Sequence, residues 1–116
     1  MKLKSAATKL PSILAAVEAN PLNDLTGAEL TGCYISDLLS DVLANARPGV
    51  LWVTIHTHRN ILSVASMKDI AAVLFTCGRK PEAAIIAEAV EKGILLLSTP
   101  LSTYETAGKL WKAGLR

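Results

Sequence analysis

The stretch VLWVTIHTHRNILSVASMKDIAAVLFT, residues 50–76, decides the fold. It opens on a near-continuous apolar run over 50–55 with β-branched residues, as a strand covered on both faces requires. A short helix is expected over 60–69, then a second fully apolar strand over 70–76. Strand, helix and strand at this spacing form a right-handed βαβ unit with parallel strands.

The same alternation extends in both directions. Upstream, LTGCYI (30–35) reads as a strand, and SDLLSDVLANA (36–46) sets Leu38, Leu39, Val42, Leu43 and Ala46 on one helical face. Ser36 is placed to cap that helix, and Asp37 and Asp41 suit its positive end. Downstream, PEAAIIAEAVEKG (81–93) reads as a helix opened by Pro81 and closed by Gly93. ILLLS (94–98) is a third buried strand, and residues 102–114 form a last helix in which Ser102 and Glu105 have capping-box spacing. Before residue 30 the signals are weaker. A short helix over 3–9 stopped by Pro11, a segment over 12–19 that suits strand or helix, and a loop over 20–27 are expected.

The expected architecture is a single α/β domain over residues 1–116, with a mostly parallel sheet of about five strands flanked by helices. Ligands of such sheets gather at the carboxyl ends of the strands. Those ends carry Ser36 and Asp37, then His56, Thr57 and His58, then Thr76 to Lys80, and finally Ser98, Thr99, Ser102 and Thr103. Nearly all are polar, whereas the opposite ends carry ordinary turn residues.

Four readings of this rim compete. His56 and His58, two apart at a strand end, can face one zinc ion with Cys77 as a third ligand, but no CxxC or HExxH accompanies them. A Cys/His or Ser/His nucleophile with Asp37 as orienting acid lacks the usual surrounding context and would make an enzyme of unknown type. Three helix N-termini, near Thr57, Pro81 and Ser102, with Arg79 and Lys80 beside them, suit a small anion or a nucleotide. CGRKP has too few glycines to wrap a triphosphate. The fourth reading makes these residues helix caps and turns only.

Composition narrows the class of protein. The chain has 116 residues, 51% apolar, 19% charged and 4% aromatic, and its net charge is +2. Its mean hydropathy of +0.38 leaves little polar surface for a particle of this size, so some apolar surface is expected against a second subunit, as in a homodimer. Tyr104 and Trp111, seven apart on the last helix, share a face suited to core or dimer interface. The charge is too small and scattered for a nucleic-acid partner. No apolar run spans a bilayer, no cofactor motif is present, and two cysteines without a signal peptide suit a reduced cytoplasmic setting. Cys33, inside an apolar strand, reads as a small core residue.

Taken together, SDLLSDVLANA, the TIHTH–N turn, GRKP and LLSTPLSTYETAGKLW resemble the DRTGG domain over about residues 28–115. That small α/β module is similar to the N-terminal domain of HPr kinase/phosphorylase. It occurs beside CBS domains in regulated pyrophosphatases, in some phosphotransacetylases, and as standalone proteins. The resemblance implies a non-catalytic regulatory or dimerising module with an unknown protein partner. It also implies a strand around 12–18. Where the family's name-giving pentad aligns, near 29–33, this chain reads Glu29-Leu30-Thr31-Gly32-Cys33, keeping Thr-Gly alone. The chain holds no CBS domain, so nucleotide binding does not follow from the resemblance.

Overall fold

A computed structural model describes residues 8–24 and 29–116. The elements run β1 (Thr8–Lys9), α1 (Leu10–Ala16), β2 (Asn20–Pro21), β3 (Glu29–Leu30), β4 (Gly32–Ile35), α2 (Leu39–Asn45), β5 (Val50–Thr54), α3 (Ile61–Met67), β6 (Ala72–Phe75), α4 (Ala83–Glu91), β7 (Leu95–Ser98) and α5 (Thr103–Lys112).

Five strands form one sheet in the order β2-β7-β6-β5-β4. β4, β5, β6 and β7 are parallel, and β2 adds antiparallel to β7 at one edge. The expected α/β architecture and strand count are therefore present. Every residue of β5, β6 and β7 is buried, which is why these strands read as unbroken apolar runs rather than alternating ones.

The sheet separates two cores. Trp52, Val73, Phe75 and Leu96 pack with Val42 of α2, Ile61 and Leu62 of α3, and Ile85 and Ala89 of α4. On the other face, Leu51, Val53, Leu74 and Leu97 pack with Ile13 of α1 and Leu110 of α5. Successive strands step one way across the sheet, so their crossover helices share a face; α1 and α5 cover the reverse.

The start of the chain departs from expectation. Residues 12–16, inside the strand expected over 12–18, belong to α1, whose Leu10 and Ile13 are buried with Val17 just beyond it, a helical rather than a strand spacing. Pro11 sits in the first turn of that helix, where it lacks no needed donor. The fifth strand is instead Asn20–Pro21, inside the segment read as loop; an edge position tolerates its proline. Of the helix expected over 3–9, Thr8 and Lys9 pair with Leu30 and Glu29 as a two-residue strand, and residues 3–7 lie outside the described residues.

Candidate functional site

Because β4 to β7 run parallel, their carboxyl ends lie along one edge of the sheet, and the polar residues gathered there bond mostly to the protein itself. Asp37 Oδ1 accepts from Thr54 Oγ1 at 2.7 Å and from the Ile55 amide at 2.9 Å. Ser36 Oγ accepts from the Leu38 amide at 3.2 Å, a local turn rather than the expected cap, since α2 starts only at Leu39. Thr76 Oγ1 and Thr103 Oγ1 are 2.7 Å apart and share a hydrogen bond. Ser98 Oγ donates to the Arg79 carbonyl at 3.0 Å, and Thr99 Oγ1 donates to the Val17 carbonyl at 2.6 Å.

The CGRKP loop is locked from below. Cys77 and Gly78 both take positive φ, 60° and 70°, which aims their amides at the carbonyls of Leu101 and Thr99, at 2.7 and 2.8 Å. A non-glycine residue in that region is strained, and here two backbone bonds hold it. The Arg79 side chain is exposed.

Two of the three helix N-termini expected to face an anion are displaced, although α3 itself starts within one residue of the helix expected over 60–69. Thr57 caps nothing, because α3 begins at Ile61; the intervening turn is closed by the Ile61 amide on the His58 carbonyl and the Leu62 amide on that of Arg59. His58 Nδ1 accepts from the Asn60 amide at 3.2 Å, so in the neutral ring the proton sits on Nε2. Pro81 precedes α4, whose N-cap position is Glu82. Only α5 begins as expected, with Ser102 and Glu105 completing a capping box.

One open cleft, about 820 Å³, remains on this edge. Thr57, His58 and Lys80 line it, joined by Arg59, Glu82 and Glu88, with Ala84 and Ile85 as its apolar part. Arg59 and Glu88 pair at 2.8 Å across it. With Arg59 and Lys80 balanced by Glu82 and Glu88, the cleft has no net charge from these side chains, unlike the basic edge that Arg79 and Lys80 alone suggest. Arg59 and the two glutamates escape a reading of strand ends because they stand on the helix side of the loops.

The zinc alternative does not assemble. His56 and His58 have ring centroids 6.2 Å apart, His56 Nε2 lies 3.0 Å from Asn60 Oδ1, and among the described residues no three His, Cys, Asp or Glu side chains are placed to hold one ion. Cys77 therefore does not join the two histidines. Away from this edge, burial pushes the Cys33 thiol up to about 12. The hydrogen bond that Tyr34 donates to Asp41, 2.8 Å long, raises the phenol above its usual range.

The fold and its self-bonded rim define a small α/β domain with a mostly parallel sheet and an open, charge-balanced cleft. A model of the DRTGG domain matches residues 35–113, and the chain belongs to that family. The match begins after Glu29–Cys33, leaving the pentad positions outside it. No curated protein matches the sequence. A crystal structure of the CBS and DRTGG domains of the regulatory region of Clostridium perfringens pyrophosphatase, complexed with the activator diadenosine tetraphosphate, has a similar fold, with a TM-score of 0.78 at 18% identity. The likeness covers 94% of this chain and 48% of that one, so the chain spans about half its length. Among the described residues no helix is long and apolar enough to cross a membrane.

Proposed function

We propose that this chain is a single-domain, non-catalytic regulatory or partner-binding module of the cytoplasm that works as a homodimer. The observation that carries the reading is the state of the rim: the hydroxyls of Thr54, Thr76, Ser98, Thr99 and Thr103 and the Asp37 carboxylate are bonded to the protein's own backbone and to each other. The ring hydrogen bonds of both histidines run to Asn60, not to a serine or cysteine, so among the described residues neither histidine is paired with a nucleophile as covalent catalysis needs. Exposed Leu38, Met67, Tyr104 and Trp111 supply apolar surface for a second subunit. Size-exclusion chromatography with light scattering tests the dimer; a monomer at micromolar concentration counts against it.

The cleft favours a second reading, a small-ligand sensor contacted by Thr57, His58 and Lys80. Its balanced charges favour a ligand that carries both donors and acceptors over a bare polyanion. That a protein with the same fold beside CBS domains is complexed with a nucleotide activator supports placing adenine nucleotides in the panel. A thermal-shift screen with nucleotides, acyl phosphates and simple anions tests it: a shift that Lys80→Ala abolishes supports the sensor, and flat melting curves throughout refute it.

A further inference from the structure

The outward face of α5 carries large apolar side chains that the fold leaves exposed, with only the Arg116 guanidinium, 4.4 Å from the ring centroid, set over Trp111 among the described residues. Tyr104 is 89% exposed and Trp111 61% exposed, although both are large and apolar. Between them stands Gly108, in the middle of a ten-residue helix. A glycine there weakens a helix relative to alanine, and a Cβ at that position would meet nothing within 4 Å. Nothing among the described residues therefore requires it. A glycine on an exposed helix face does permit another backbone to approach closely. A hollow of about 490 Å³ lies over it, lined by Tyr104, Glu105, Ala107, Gly108, Lys109 and Lys112.

Helical geometry arranges these residues in two parallel rows. At about 100° per residue, Tyr104, Gly108 and Trp111 fall within about 60° of one another, and Glu105 and Lys112 form a second row along one side. In each row the partners are seven apart and share nearly the same midpoint, at Gly108. That pattern complements its own copy. When two identical helices cross antiparallel about a two-fold axis, residue i of one meets residue j of the other and the reverse. An axis through Gly108 sets Tyr104 against Trp111 of the partner subunit, and Glu105 against Lys112 of the partner subunit, twice over. In α5 the acid stands in the first turn and the lysines in the last, so only the antiparallel arrangement brings opposite charges together.

We propose that α5 is the homodimer interface, with the two helices crossing at Gly108. This rests on the homodimer reading above and specifies its surface. Trp52 is fully buried on the other side of the sheet, so Trp111 is the tryptophan whose surroundings change on association.

The test compares the full-length wild-type chain with Gly108→Arg and Lys112→Glu by sedimentation velocity over a dilution series, with Trp fluorescence and circular dichroism alongside. Arginine at 108 faces open space and forms helix better than glycine, so the fold is retained while close approach is blocked. The expected result is a wild-type dimer whose Trp emission moves to the red on dilution. Gly108→Arg raises the dissociation constant about 30-fold or more, the size of an interface hot spot. Lys112→Glu, which sets carboxylates against each other, weakens the dimer by about 5-fold, less at high salt. A wild-type dimer that Gly108→Arg leaves at unchanged affinity overturns the α5 interface and leaves the homodimer standing. A wild-type chain that stays monomeric at every concentration overturns both.

Discussion

Asp37→Ala measures whether the polar rim is there for stability or for a ligand. One oxygen of this carboxylate holds both the hydroxyl of Thr54 and the amide of Ile55, at the point where the chain leaves β5. Thr54 is 1% exposed, and its own oxygen accepts from the His56 amide at 3.1 Å. Removing the carboxylate therefore strands a buried hydroxyl proton and unfastens the first residues of the HTH turn. Hydrogen bonds to a charged group contribute about 1.5–3 kcal/mol each; Asp37 is exposed to solvent, which puts each of these at or below the lower end of that range. The pair together comes to about 2–3 kcal/mol, and Asp37→Asn, which keeps an acceptor in place, costs about 1 kcal/mol. At roughly 4 °C per kcal/mol for a chain of this size, Asp37→Ala lowers Tm by about 8–12 °C. Urea unfolding at fixed protein concentration, followed by tryptophan fluorescence in a Trp111→Phe background, reads the change through Trp52, whose Nε1 donates to the Ser36 carbonyl at 2.9 Å. A stability within about 0.5 kcal/mol of wild type, or an Asn variant as destabilised as the Ala variant, refutes the reasoning and returns Asp37 to the pool of free ligand contacts.

Three further outcomes follow from local geometry. Ser102→Ala removes the capping box of α5 and costs about 1 kcal/mol in thermal or urea unfolding. Gly49→Ala is more damaging than Gly93→Ala: both sit at positive φ, but a Cβ at Gly49 lies 2.8 Å from Thr31 Oγ1 whereas one at Gly93 meets nothing within 4 Å, so paired melts show Gly93→Ala losing about 1 kcal/mol and Gly49→Ala visibly more. The Cys33 thiol, raised by burial from 9.0 to about 12, ties stability to alkaline pH. Below pH 9 both states hold the proton and its contribution is complete; as pH rises from 9 towards 12 the unfolded chain releases it first, and stability falls by up to about 1.4 kcal/mol per pH unit. Comparing wild type with Cys33→Val across that range checks the slope, and at neutral pH a thiol reagent modifies exposed Cys77 well before Cys33.

The central sheet was legible because burial on both faces leaves a strand no polar positions, and VLWVTI, IAAVLFT and ILLLS announce that plainly. The chain start was not, because the five apolar residues Ile13 to Val17 suit a strand and a helix alike. The spacing of Leu10, Ile13 and Val17 was the clue that distinguishes them. Asn20–Pro21 had no signal of its own, since a two-residue edge strand is defined by its partners on β7, which lie 76 to 78 positions away in the register Asn20 with Ser98 and Pro21 with Leu97.

At the site, residue types were legible and their partners were not. A serine or threonine at a strand end serves a ligand and a neighbouring carbonyl equally well, and only distances of 2.6 to 3.0 Å to protein atoms separate the two uses. The turns before the helices mattered as much: α3 starts at Ile61, within one residue of the helix expected over 60–69, and α4 at Ala83 rather than Pro81, so the amides near Thr57 expected to face an anion sit ahead of a closed turn, and Arg59, Glu82 and Glu88 line the cleft. A ligand at this edge must therefore compete with, or fit around, the Arg59–Glu88 pair. The opposite holds on α5, where the sevenfold spacing of Tyr104 and Trp111 was visible in the sequence as core or interface. Their exposure removes the first option, so the largest apolar side chains left exposed among the described residues are also the ones whose spacing, charge order and central glycine suit a second copy of the same helix.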